Sequence, residues 1–242
     1  MKKLIITCII FTMSLSVNAQ SWWNSKRVKG NGNVTTETRK TSDYEGVSVG
    51  GSFDVKLIKG KEGKITLKGE ENILKYIITE VKNGTLKVKY KKGVNIRTTR
   101  KLTVTIPYRD IEKVALAGSG DITSTGIIKA TKLYLSIAGS GNMDVSVDSR
   151  DVKTSIAGSG NIKVSGNATE LKCTIAGSGN INAYGLKTST TTAKVAGSGN
   201  IKTTVSDEIN ARVSGSGNIY YKGNPEKINS KSAGSGDIID KN

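Results

Sequence analysis

Hydrophobic and polar positions alternate along most of the second half of the chain, and the alternation recurs at a regular interval. One run reads Val152, Lys153, Thr154, Ser155, Ile156; the next comparable run reads Leu171, Lys172, Cys173, Thr174, Ile175. A period of two puts one set of side chains on each face of an extended strand, so every such run predicts a strand with one buried side. Written one above another, the inward positions form columns. The first reads Leu116, Ile137, Ile156, Ile175, Val195, Val213 and Ser232. Two residues earlier stand Val114, Leu135, Thr154, Cys173, Ala193, Ala211 and Ser230, preceded in turn by Leu133, Val152, Leu171, Thr191, Ile209 and Ile228. A further apolar column, Ile122, Met143, Ile162, Ile181, Ile201, Ile219 and Ile238, resumes on the far side of a loop.

That loop is Gly-Ser-Gly followed by Asn or Asp. Its copies begin at Gly118, Gly139, Gly158, Gly177, Gly197, Gly215 and Gly234, separated by 21, 19, 19, 20, 18 and 19 residues. A period near 19 suits one coil of a β-solenoid, made of a strand, the GSGN turn, a second strand and a return turn. A single coil cannot bury its apolar row; stacked neighbours cover it. No helical period or LxxLxL pattern supports a leucine-rich repeat. The sequence therefore predicts an all-β chain whose residues 114–242 form a parallel β-helix or β-solenoid of about seven coils. A right-handed course follows the general bias of parallel crossovers. Glycine at both corner positions is expected to permit positive φ, and Asn142, Asn161, Asn180, Asn200 and Asn218 to hydrogen-bond along the stack. A calcium-binding glycine loop does not fit, because only Asp121 and Asp237 are charged at the fourth position and hard cations need clustered anionic oxygens.

Before the repeats the pattern is less regular. "GVSVGGSFDVKLIKG" reads as a strand pair, with Gly50 to Val55 a degenerate copy of the later corner, and "EENILKYI" has room for one helical turn. Asn83-Gly84 between alternating runs predicts a hairpin. Residues 44–113 are therefore expected to form a β-rich portion that caps one end of the solenoid. Residues 20–43 lack periodicity and read as a flexible leader. Residues 1–19, with Lys2 and Lys3, an apolar run and Val17-Asn18-Ala19, have the order of a cleaved export signal. Export to the periplasm, the outer-membrane surface or the medium is the expected location, with no transmembrane segment in the mature chain.

Composition narrows the chemistry. The net charge is +17 and there is no histidine, which removes the commonest general base and zinc ligand. Removing the signal leaves Cys173 as the one cysteine, so no intramolecular disulfide is expected and Cys173 reads as a small core residue. The basic surplus favours acidic partners, and no helix-turn-helix, zinc-finger or ribonucleoprotein motif points to nucleic acid.

The segments "VGGSFDVKLIKG", "ENILKYIITEVKNGTLKVKY", the repeated "AGSGNI" and the closing "GNIYYKGNPEKINSKSAGSGDI" resemble the exported bacterial family called putative auto-transporter adhesin, head GIN domain. The resemblance spans residues 44–238. It implies a β-helix-like fold, a cell-envelope or extracellular location and an adhesin-like role. No membrane-barrel segments follow "IIDKN", so any surface display is expected to use another route.

Three functions follow as expectations. The first is a non-enzymatic adhesin-like binding module for an anionic glycan or cell-surface component. Its candidate binding residues stand in outward columns, Lys153 and Lys172 in one and Lys194, Arg212 and Lys231 in another; Tyr134, Tyr184, Tyr220 and Tyr221 are available to stack on sugars. The second is a polysaccharide lyase or hydrolase, for which the best cluster is Asp144, Asp148, Arg150 and Asp151. The third is an envelope scaffold that self-associates through the weak inner face of its last coil, Ser230 and Ser232. No cofactor or metal is expected.

Overall fold

The computed structural model describes residues 26–242. The expected export signal and the tryptophans Trp22 and Trp23 lie outside the described residues. The N-terminal half comprises β1 (Lys26–Lys29), β2 (Val34–Lys40), β3 (Gly46–Gly50), β4 (Asp54–Lys59), β5 (Lys64–Glu70), α1 (Glu71–Leu74), β6 (Ile77–Lys82), β7 (Thr85–Tyr90), β8 (Val94–Arg97) and β9 (Thr103–Tyr108). The repeats supply β10 (Lys113–Gly118), β11 (Asp121–Gly139), β12 (Asn142–Gly158), β13 (Asn161–Gly177), β14 (Asn180–Gly197) and β15 (Asn200–Gly215). The chain closes with β16 (Ile219–Lys222), β17 (Lys227–Gly234) and β18 (Ile238–Asp240).

From β10 onward, like residues sit over like in parallel register. Ile156 faces Ile137 and Ile175, and Thr154 faces Leu135 and Cys173. The inward columns are buried along the stack, ending on Ile209, Ala211 and Val213. The chain is thus a parallel β-solenoid, as the period demands. The expected return turn is absent as a break: β11 to β15 each run continuously from one corner to the next, bending with local register shifts.

Both corner glycines are obligatory, for different reasons. The first of each pair has positive φ, +125° at Gly158 for example, and its carbonyl accepts two N–H groups from the next coil. The Gly139 carbonyl takes those of Ser159 at 2.9 Å and Gly160 at 3.0 Å. The second, contrary to the expectation of positive φ at both, is absent from the positive-φ residues. There, close approach is the constraint: a Cβ on Gly160 would lie 2.5 Å from the Gly141 carbonyl oxygen and 2.7 Å from Ile137 Cγ2.

The asparagines form the expected ladder. Each side-chain amide donates to the oxygen one coil earlier: Asn142 to Asp121 at 2.8 Å, Asn161 to Asn142 at 2.9 Å, Asn180 to Asn161 at 3.0 Å, and Asn200 to Asn180 at 3.1 Å. Asp121 has acceptors only, which suits the start of a ladder in which every bond runs the same way. Asn161→Ala removes two exposed ladder bonds and is expected to cost about 1 kcal/mol, read as a lower urea midpoint at constant m-value.

Two features of the N-terminal half differ from expectation. Residue 114 is no boundary, because β3 pairs with β10 and β4 with β11. The Gly50 to Val55 corner is therefore a full coil of the solenoid, with Gly51 directly beneath Gly118. On the other side of that coil lie β7 and β9, and the antiparallel strands β6 and β5 close the stack beyond them. The second difference is at residues 26–40, which are not an unpaired leader. β1 pairs with β8 and β2 runs antiparallel along β5. Arg39 fixes this strand by donating to the Leu74 carbonyl at 2.8 Å and the Ile77 carbonyl at 2.6 Å, while Glu37 holds its guanidinium. The hairpin at Asn83-Gly84 is as predicted, with φ of 51° and 66°.

Candidate functional site

The five basic residues singled out by spacing share one exposed sheet face. Lys153 pairs in register with Lys172, and Lys194 with Arg212, which in turn pairs with Lys231. Because Lys153 and Ser155, or Lys172 and Thr174, are two residues apart, the two columns lie side by side on the same outer surface. Tyr134 stands between Lys113 and Lys153 in the first column, with the Lys153 ammonium 5.9 Å from its ring centroid. An acidic column flanks them, Asp151, Glu170 and Glu208, bounded by Lys132 and Lys227. On the other side, next to the corner, stand Ala138, Ala157, Ala176, Ala196, Ser214 and Ala233. This surface carries positive charge in excess.

The acidic cluster suggested for catalysis is split: Asp148 and Arg150 line one cavity with Asp110 and Glu112, while Asp144 lines another. Asp144 lies after the corner and is paired with Lys163 at 3.0 Å, whereas Asp151 is paired with Arg150 at 3.0 Å across the bend. Among the described residues no group of three or more Asp, Glu, Cys or His side chains converges to hold a metal ion.

A second surface lies after the corner, where a groove of about 610 Å³ runs beside the asparagine ladder. Asn142, Asn161, Asn180 and Asn200 form one side, and Tyr184, Lys202, Tyr220 and Lys241 the other. Tyr184 projects because the coil that carries it has an extra residue: Lys163 pairs with Asn182 but Ser165 with Gly185. In the following coil Thr203 and Thr204 pair with Ala183 and Lys187, so Tyr184, Gly185 and Leu186 have no partner there. The bulge is nonetheless satisfied: Thr204 donates its hydroxyl to the Tyr184 carbonyl at 3.0 Å, and the Asn182 side chain accepts the Tyr184 N–H at 3.3 Å. Burial raises the Tyr184 pKa, and the neighbouring Tyr220 adds to it.

The outward column through this groove opens at its middle. Lys163 reaches to Asp144 in the preceding coil, and Lys202 places its ammonium 5.9 Å from the Tyr184 ring centroid. Between them stands the short Asn182. Lys222 also approaches Tyr184, at 5.0 Å, and Lys241 approaches Tyr220, at 5.7 Å. Of the tyrosines named from sequence, Tyr184 and Tyr220 meet here, Tyr134 lies on the basic sheet, and Tyr221 points inward, 7% exposed. The sequence reading missed Asn182, Lys202, Lys222 and Lys241. The only sign of the bulge is the step of 20 residues from Gly177 to Gly197.

The described residues thus form a parallel β-solenoid whose outer faces carry ordered columns of like side chains. Residues 43–225 match the family described as putative auto-transporter adhesin, head GIN domain, and the chain belongs to that family. Its fold is shared with a putative adhesin from Bacteroides fragilis, 24% identical, with TM-score 0.83 over 88% of this chain and 100% of that one. A putative lipid binding protein from Parabacteroides distasonis is 28% identical, with TM-score 0.74 over 90% of this chain and 100% of that one. A putative adhesin from Parabacteroides merdae is 24% identical, with TM-score 0.71 over 90% and 100%. No curated protein matches the chain in sequence. Among the described residues no helix is long and apolar enough to cross a membrane.

Proposed function

We propose that this adhesin-like module is exported, acts without catalysis, and binds anionic glycans of the cell envelope or its surroundings through its basic sheet. The observation that supports this reading is the register of Lys153, Lys172, Lys194, Arg212 and Lys231, all exposed on adjoining columns of one face. Neighbouring coils stand about 4.8 Å apart, so stacked cations repel one another. An anionic polymer laid along the stack relieves that repulsion at several coils at once, and the alanine column leaves its approach unobstructed. Family membership supports adhesion as the role.

Replacing all five residues by alanine is expected to weaken retention on heparin or immobilised polygalacturonate strongly at about 0.15 M salt, where exposed charges act over roughly 8 Å. The parent chain is expected to be retained. Equal retention of the two proteins, or no retention of the parent, would sink the proposal. Formation of unsaturated or newly reducing sugar ends from polygalacturonate would instead establish an enzyme.

A further inference from the structure

We infer that the groove between the asparagine ladder and Tyr184 is a binding site for a single acidic pyranose unit, a hexuronate, within a glycan chain. The inference rests on the anionic-glycan reading above, but it assigns recognition to a surface on the other side of the corner from the basic sheet.

Three kinds of group converge there. The first is aromatic: Tyr184 and Tyr220 line the groove, and a ring of this kind can meet the C–H face of a pyranose once its neighbouring lysine turns to an anionic group. The second is amide. Within the ladder each of Asn161 and Asn180 uses one N–H of its NH2 group and one lone pair of its oxygen, and the inventory of an amide leaves a second N–H and a second lone pair. Adjacent sugar hydroxyls, each both donor and acceptor, complement such a pair. The ladder also fixes the orientation of each amide, so these groups are presented with little remaining side-chain freedom.

The third is charge. Lys202, Lys222 and Lys241 place their ammonium groups beside the two tyrosines, and none of them is ion-paired among the described residues. Lys163, on the groove's other edge, is neutralised by Asp144. The uncompensated charge is therefore confined to the aromatic side, where a carboxylate on a stacked ring would lie. A neutral sugar would use the tyrosines and amides but leave the lysines without a partner. A simple phosphate would satisfy the lysines but leave the aromatic faces uncovered.

The site is also built rather than incidental. Its wall depends on an inserted residue whose backbone groups are separately satisfied by Thr204 and Asn182. Three threonines, Thr188, Thr191 and Thr203, form a buried hydroxyl chain nearby, and Thr188 donates to the Thr204 carbonyl at 2.9 Å. Loss of regular pairing in a solenoid coil exposes backbone groups, and here that disruption is compensated while Tyr184 is carried outward.

The test is calorimetric titration of the full chain with trigalacturonate, with cellotriose as a neutral comparison and phosphatidylglycerol vesicles as an anionic surface without sugar. Trigalacturonate is expected to bind, and cellotriose at least about tenfold more weakly. Tyr184→Ala is expected to weaken trigalacturonate binding by about tenfold or more, Tyr184→Phe by less, with an unchanged thermal midpoint confirming that Tyr184→Ala folds. Lys202→Gln is expected to narrow the difference between trigalacturonate and cellotriose. The five-residue variant of the basic sheet is expected to be retained more weakly on the long polymer yet bind the trisaccharide as the parent does, which separates failure of this site from failure of the sheet. Absence of trigalacturonate binding, equal binding by parent and Tyr184→Ala, or vesicle binding that depends on Tyr184 would each overturn the inference.

Discussion

Gly158→Ala is expected to destabilise the solenoid by about 3 kcal/mol or more, because two independent penalties fall on one methyl group. The backbone at Gly158 has φ of +125°, a region that residues with a Cβ rarely adopt. The added Cβ would also lie 2.5 Å from the Gly139 carbonyl oxygen in the coil beneath, which already accepts the N–H groups of Ser159 and Gly160. Relieving that contact means lifting one coil off another and lengthening those bonds together. The whole stack is covalently one strand path, so the separation cannot stay local. Urea unfolding gives the change directly, and the thiol of Cys173 gives a second readout. Cys173 is fully buried in the next coil, where burial pushes its pKa up to about 12, although the Thr154 hydroxyl at 3.2 Å works against that shift. The thiol is thus expected to resist alkylation in the parent protein and to be labelled faster in the variant. Gly126→Ala is the control: nothing lies within 4 Å of its would-be Cβ and its φ is not positive, so it should fall within about 0.5 kcal/mol of the parent. A Gly158 variant as stable as the Gly126 variant would refute the account of the corner.

How much of this was legible in the sequence depends on whether a residue's role is written in its own type. The columns of Ile156, Ile175 and their equivalents are apolar because they are buried, so the periodicity gave both strands and register. The glycine and asparagine of each corner recur because each coil must turn above the last. By contrast β2 carries Val34, Thr36 and Thr38, and its alternate residues are exposed or half-buried. It has no apolar face to announce it, and its place is set by backbone pairing with β5 and by Arg39. The insertion of the β3–β4 coil between β9 and β11 was hidden for another reason. Like residues pair with like in every coil, so sequence similarity shows that a segment is a coil but not which coils flank it. The groove was the least visible, since Tyr184 is displaced by one extra residue and Asn182 matters there because it is short. The five basic residues were legible as columns, and the structure adds the acidic column of Asp151, Glu170 and Glu208 beside them.

Glu70→Gln is expected to cost about 3 kcal/mol, because its carboxylate is the sole acceptor for donors from two separate loops. Glu70 is 1% exposed. Oε1 accepts from the Gly32 N–H at 2.8 Å and the Thr99 hydroxyl at 2.6 Å, and Oε2 from the N–H groups of Thr99 at 2.8 Å and Arg100 at 3.2 Å. A glutamine would turn one of those oxygens into a donor facing donors, leaving a pair of N–H or O–H groups unmatched. Gly30 admits the carboxylate, since a Cβ there would sit 2.1 Å from both oxygens. Burial alone would raise the Glu70 pKa, but the bonds from the Thr99 hydroxyl and the three backbone N–H groups outweigh it and hold the carboxyl at about 2. An unfolded glutamate titrates near 4.3, so the folded chain holds its proton less tightly than the unfolded one. The stabilisation from Glu70 is therefore fully present above about pH 4.3 and is lost as the pH falls toward 2. In Glu70→Gln that increment of acid sensitivity should vanish while neutral-pH stability drops. Urea midpoints measured from pH 7 to pH 2.5 should then converge for parent and variant at the acid end. Parallel curves across that range would show that the carboxylate is not what ties the Gly30 to Gly32 loop to Thr99 and Arg100.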